Sequence, residues 1–179
     1  MNYLLIDKTC ISDGPGVRVS LYISGCRNHC EGCHNPESWN FCVGKKFTEE
    51  VEDVVIGECM RTYVKGLTLC GGDPCEPENQ KALVNLLKKF RSKCTGKDIW
   101  LYTGYELDDL LPSGKKHTDC TDEFLSYIDV AVVGPFILSE RDISDDNRWR
   151  GSRNQRVLDL PKSLEAGKPI MLPGIPNNN

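Results

Sequence analysis

The chain has 179 residues, 39% of them hydrophobic and 27% charged: enough for one domain with a buried core, but short for a closed eight-stranded α/β barrel, which takes about 250. Its net charge is -4, from 22 basic and 26 acidic side chains interspersed along the chain, which excludes the basic face that nucleic acid or an anionic membrane requires. No basic leader and no apolar run near the ~20 residues of a membrane span is present, so a cytoplasmic location is expected, where the ten cysteines stay as thiols.

In chain order, residues 2–7 fit either a short strand or a terminal segment packed on a sheet. Asp13-Gly14-Pro15-Gly16 is turn chemistry, with glycines able to take positive φ and a proline that fixes its own. Residues 17–24 alternate and are rich in β-branched and aromatic side chains, which predicts a strand stopped by Gly25. Cys26, Cys30 and Cys33 follow on a glycine-containing loop with C-x3-C-x2-C spacing. A structural zinc ion normally takes four protein ligands, whereas a 4Fe-4S cubane held by three cysteines leaves one iron open to an outside molecule. On spacing alone, a zinc knuckle with a remote fourth ligand or three unrelated core cysteines remain alternatives. Trp39 and Phe41 read as cover for the loop's edge or as core.

Thr48 is expected to cap a helix with Glu49 and Glu50 in its first turn and Val51, Val54, Val55 and Cys59 on one face. Residues 66–70 read as a short buried strand running into Gly71-Gly72-Asp73-Pro74. Adjacent glycines at a strand's end let backbone approach a ligand, and carbonyls or a carboxylate there can receive an ammonium group; for the tetrapeptide alone a plain turn is the simpler account. Asn79 is expected to start the next helix, which buries Ala82, Leu83, Leu86, Leu87 and Phe90 and turns Lys88, Lys89, Arg91 and Lys93 to solvent. Residues 98–103 form the third strand, ending in Thr103-Gly104-Tyr105, where a ligand contact and a structural turn fit equally; 106–111 begin a short helix.

Residues 112–119 read as an exposed polar loop, and Thr121 opens a helix that reaches Ile128. A fourth strand, 129–133, leads into Gly134-Pro135-Phe136. The charged, irregular stretch 137–153 is suited to covering a site or meeting a partner, 155–160 is a last strand, and 161–179 is a C-terminal extension expected to fray. Cys10, Cys42, Cys59, Cys70, Cys75, Cys94 and Cys120 read as small apolar residues or idle thiols, with Cys70 and Cys75 notable for bracketing the Gly-Gly-Asp-Pro turn. Strands alternating with helices predict an α/β fold with a mainly parallel sheet and right-handed crossovers. The turns after Ser24, Cys70 and Thr103 then share the rim at the strands' C-terminal ends. Four or five strands cannot close, so an open, incomplete (βα) barrel over residues 1–160 is expected.

Several segments, in this order, carry a family likeness: Asp13-Gly14-Pro15-Gly16-Val17-Arg18, the cysteine loop with Cys33-His34-Asn35-Pro36, Gly71-Gly72-Asp73-Pro74, Gly96-Lys97-Asp98-Ile99-Trp100 and Trp149-Arg150-Gly151. Together they resemble the activating enzymes of the anaerobic ribonucleoside-triphosphate reductase, within the radical S-adenosylmethionine (SAM) superfamily. The resemblance implies a barrel of the radical SAM type with a 4Fe-4S cluster on Cys26, Cys30 and Cys33. It implies SAM beside Gly32, Cys33, His34 and Asn35, with Gly71, Gly72 and Asp73 at the cofactor's amino-acid end. The reaction so implied is reductive cleavage of SAM to a 5'-deoxyadenosyl radical, which generates a glycyl radical on the reductase's large subunit. A low-potential electron donor such as flavodoxin, and a homodimer, are further implied partners.

The chain departs from the family pattern in places. Gly32 stands where many superfamily members have an aromatic residue, and His34, which follows the third cysteine, fits stacking on the adenine and a structural role equally. Val133 replaces a frequent Asp, Arg153 a common Ser, and Cys70 and Cys75 a Ser and an aliphatic residue. Rival readings are a radical SAM enzyme acting on a small molecule or peptide, which needs a closed polar pocket, and a non-enzymatic zinc or cluster-bearing interaction module.

Overall fold

The computed structural model describes residues 1–175. Its elements are β1 (Asn2–Cys10), β2 (Val17–Ile23), β3 (Lys45–Lys46), α1 (Glu49–Cys59), β4 (Val64–Gly71), α2 (Pro77–Lys93), β5 (Asp98–Tyr102), α3 (Leu107–Leu110), α4 (Thr121–Ser126), β6 (Val130–Val133), β7 (Arg156–Asp159) and α5 (Leu160–Ala166). They build one mixed α/β sheet of seven strands in the order β3-β1-β2-β4-β5-β6-β7. The four central strands are parallel, and antiparallel strands flank them at both sides. The sheet does not close, as expected, but it has more strands than the four or five predicted. The additions come from β1, which pairs with β2 along its length, and from the two-residue β3, too short for any periodicity to show.

Period-two alternation sorts the strand side chains onto two faces. Val19, Leu21, Leu67, Leu69, Ile99, Leu101, Ala131 and Val133 join the main core with α1, α2 and α4. The residues between them point the other way: Arg18 and Tyr22, Thr68 and Cys70, Trp100 and Tyr102, Val130 and Val132. On this second face Trp100, Val130, Val132 and Val157 make a small apolar cluster, with Trp149, Leu172 and Ile175 packed on it. Arg18 is fully buried there, donating to Thr68 Oγ1 at 2.7 Å and the Leu67 carbonyl at 2.9 Å and pairing with Asp98 at 2.6 Å. The aspartate-glycine turn before β2 folds over it, and a Cβ at Gly14 would lie 2.9 Å from the Arg18 side chain.

Several local expectations need correction. Thr48 occupies the N-cap of α1 but makes no side-chain capping bond, and the buried face is Glu52, Val55, Ile56 and Cys59. Val54 is exposed, because the buried positions 52, 55, 56 and 59 follow i, i+3, i+4, i+7 spacing and 54 lies off that face. α2 starts at Pro77, two residues before Asn79; Asn79 instead donates from inside the helix to the carbonyls of Ser24 (3.1 Å) and Asp73 (2.9 Å). The loop 112–119 is less exposed than expected, since Lys116 reaches inward to Glu76. The folded part of the chain also continues beyond residue 160. Asp159 caps α5, and Ile170 and Leu172 bond the backbone of β7, so the expected fraying does not describe residues 161–175. The terminal asparagines lie outside the described residues.

Candidate metal and cofactor site

β2 delivers the chain to the cysteine loop at its C-terminal end, where Gly25, with φ of 99°, makes the exit turn. A Cβ there would lie 2.2 Å from the Phe41 ring, so Phe41 packs over the loop as expected. The loop is pinned by backbone bonds from Gly25 N–H to the Ser38 carbonyl and from Cys26 N–H to the Trp39 carbonyl. All three loop cysteines are free and half-buried. They line one cleft of about 560 Å³ together with the ends of β4 and β5, the turn after β6 and the 149–151 segment.

Cys33 faces a backbone N–H: Asn35 N–H donates to its Sγ at 3.4 Å. Such donors stabilise sulfur that carries negative charge and tune the potential of a cluster it ligates. Without a metal the thiols are reluctant acids: burial, and then the Asp73 carboxylate, push Cys26 up to about 12, and burial raises Cys30. A bound metal's charge reverses that balance, so loading releases protons. Among the described residues no group of three or more His, Cys, Asp or Glu side chains is arranged to hold a metal ion. A cubane makes a different demand, because its cysteines bind separate irons. Three half-buried thiols on an accessible cleft, one of them with a sulfur-directed N–H donor, therefore fit a 4Fe-4S cluster.

The glycine pair ending β4 has a packing reason as well as a ligand-facing one. Gly72 N–H donates to the Ile23 carbonyl at 2.7 Å, and Asp73 N–H to the Gly25 carbonyl at 2.8 Å. Side chains at 71 or 72 would run into β2 backbone, with a Cβ on Gly72 only 2.7 Å from the Gly25 oxygen. Asp73 is buried, 1% exposed, and its carboxylate accepts four bonds: from Thr103 Oγ1 (2.8 Å), Cys75 N–H (2.9 Å), Gly104 N–H (2.9 Å) and Asn28 Nδ2 (3.0 Å). Those bonds join β4, the turn after β5 and the cysteine loop into one rim.

Burial pushes the Asp73 carboxyl up to about 6, against the donors that favour its ionised form. The folded protein therefore holds this proton more tightly than the unfolded chain, whose aspartates titrate near ~3.9. The stability from this group is full below about pH 4 and is lost as pH rises through about 6. In metal-free protein, Asp73→Asn should remove that downward slope from the urea midpoint between pH 4 and 6, whatever its absolute stability. The same slope in both proteins would contradict the assignment.

The remaining sequence-selected residues separate. Cys33, His34, Asn35, Gly71, Gly72 and Asp73 all line the cleft, and His34 tilts against Phe136 with ring centroids 5.6 Å apart. Gly32 is exposed, turns the loop at φ of 71° under Leu138, and is not among the lining residues. Cys70 and Cys75 part company: Cys75 lies in the helix-side core, while Cys70 faces the cleft and contacts Asp13 at 3.7 Å. Asp13 also accepts from the Tyr22 hydroxyl at 2.7 Å, so the aspartate-glycine turn reaches the cleft's far end. Sequence reasoning missed Asn28, which acts through the distant Asp73 and whose place inside the cysteine spacing was its one signal.

A family model described as a 4Fe-4S single cluster domain matches residues 12–158, which includes every element that builds the cleft. The fold and site thus define an iron–sulfur protein of the single-cluster class. Three proteins named anaerobic ribonucleoside-triphosphate reductase-activating protein are similar over nearly the whole chain. That of Vibrio cholerae is 40% identical, covering 88% of this chain and 97% of its own; that of Escherichia coli K12 is 39% identical, covering 89% and 99%. The counterpart from Enterobacteria phage T4 is 37% identical, covering 88% and 93%. The chain belongs to the family of anaerobic ribonucleoside-triphosphate reductase-activating proteins.

Proposed function

We propose that this protein is a radical SAM activase: with a 4Fe-4S cluster on Cys26, Cys30 and Cys33 it cleaves SAM and installs a glycyl radical on the large subunit of the anaerobic ribonucleoside-triphosphate reductase. The observation that carries the reading is the set of three half-buried free thiols, on the cleft rim that the two glycines of β4 complete. When bound, cluster and cofactor supply one-electron reductive cleavage of the sulfonium, releasing methionine and a 5'-deoxyadenosyl radical that abstracts a hydrogen atom from glycine.

The chain's own part is placement. The cysteine loop supplies three ligands and no fourth, and Gly71 and Gly72 keep the rim narrow enough for backbone to meet the cofactor's amino-acid end. Because the Asp73 carboxylate is occupied by four donors, its role is to hold the rim, and carbonyl oxygens are left to receive the ammonium group. His34 and Phe136 offer aromatic surface for the adenine. The open-sided sheet, read as an incomplete radical SAM (βα) barrel, leaves room for a segment of a macromolecular substrate. The protein acts in the cytoplasm, where a low-potential donor such as flavodoxin supplies the electron. No helix among the described residues is long and apolar enough to cross a membrane.

Anaerobic reconstitution should give about four irons per chain. Mixing with the reductase, SAM and a reductant should then produce a glycine-centred doublet in electron paramagnetic resonance. SAM cleavage without that doublet would point to a small-molecule substrate, and a fully protein-ligated zinc ion would remove the radical reading altogether.

A further inference from the structure

Behind the cysteine loop lies a carboxylate that the proposed chemistry does not use. Glu76, just before α2, is fully buried, and all four hydrogen bonds to its carboxylate come from side chains or backbone outside its own element. Its Oε1 accepts from the Arg27 backbone N–H at 2.9 Å and the Tyr105 hydroxyl at 2.6 Å. Its Oε2 accepts from Arg27 Nη1 at 2.7 Å and Lys116 Nζ at 2.8 Å. Arg27 adjoins Cys26, Tyr105 follows the rim turn after β5, and Lys116 belongs to the 112–119 loop, so three separate segments meet on one anion. The charges nearly close on themselves, since Arg27 also pairs with the exposed Glu78 at 2.5 Å.

An acceptor with full occupancy and no exposure is rigid, because losing any one partner leaves charge or a donor unpaired in a buried place. The contact made by the Arg27 amide is the unusual one. It fixes backbone, not a flexible side chain, one residue from a proposed metal ligand and within a loop that has no regular secondary structure to hold it.

We infer that Glu76 is a positioning residue for the metal-binding loop, setting the backbone at Cys26–Arg27 before any cluster is present and slowing the loss of iron once it is. The second half rests on the cluster reading above; the first does not. In metal-free protein followed by hydrogen exchange, Glu76→Ala should lower protection of the Arg27 amide about ten-fold or more, the worth of one charge-assisted bond, with the β4 and β5 amides unchanged. In reconstituted protein the same variant should release iron to a chelator about ten-fold faster, while Glu78→Ala, which removes only the outer partner of Arg27, matches the wild type in both measurements. If Glu76→Ala does not fold, Glu76→Gln is read in the same way, because it keeps the volume but offers one acceptor oxygen in place of two. Uniform loss of protection across sheet and loop would reduce Glu76 to a fold-stabilising residue and overturn the inference, as would wild-type exchange at Arg27 together with wild-type iron release. A wild-type protein that takes up no iron would defeat the cluster reading but leave the exchange experiment to decide on Glu76.

Discussion

Cys30→Ala is expected to bring iron retention after anaerobic reconstitution close to background and to abolish SAM cleavage, whereas Cys94→Ala and Cys120→Ala retain both. Cys30 is half-buried on the cleft. Under the proposed ligand assignment its loss leaves two protein ligands of three, too few to hold a cubane against chelation. Cys94 packs in the helix-side core, where Ala costs about 1 kcal/mol of stability through a small cavity, and Cys120 lies at the start of α4, away from the cleft. The comparison is made by iron assay and by following 5'-deoxyadenosine release. Full activity in Cys30→Ala would end the ligand assignment, and loss of activity in all three variants would show that thiol substitution is damaging the fold.

Gly72→Ala should be nearly as severe, although it removes nothing. The added methyl group would sit 2.7 Å from the Gly25 oxygen and 2.9 Å from the Ile23 oxygen. Both are backbone atoms, one at the end of β2 and one in the exit turn that leads to the cysteine loop, so no side-chain rotation relieves the clash. Overpacking of this kind costs about 1–3 kcal/mol, and here the relaxation must part β4 from the exit of β2. The expected signature is a lowered urea midpoint together with weakened SAM binding to the reconstituted protein. Gly57→Ala, on the open side of α1 where a Cβ meets nothing within 4 Å, should be neutral or slightly stabilising. Wild-type SAM affinity in Gly72→Ala would mean that the rim tolerates displacement and that the glycine pair is not kept for close approach.

The central strands, the helices between them and the ligand loop were legible because each rests on local chemistry. Alternation in 17–24, helical spacing in α2 and the C-x3-C-x2-C interval are properties of neighbours in sequence. Errors fell where a side chain answers to something remote. Asn79 looked like a helix start because asparagine caps helices well, yet its amide bridges two chain segments that only the fold brings together. On α1 the expected Val55 and Cys59 are buried, but Glu52 is buried with them, and a carboxylate paired with Lys89 at 3.0 Å gives no apolar signal. Of the two readings open for residues 2–7 the strand holds, as β1, because it pairs with β2 along its length, while the two-residue β3 depends wholly on pairing across the sheet.

The ordered set of motifs, and not the cysteine spacing alone, pointed to the protein's family: a three-thiol loop at a strand's end, followed by a glycine pair at the next. Tertiary structure alone decided what each polar group is free to do. The sequence leaves carbonyls or the Asp73 carboxylate open as receptor for a ligand's ammonium group, but four donors from three segments fill that carboxylate, and Glu76 carries no sequence signal although three segments converge on it. The physical reason is that a residue's identity sets what it can bind, while its availability depends on which donors the fold has packed around it.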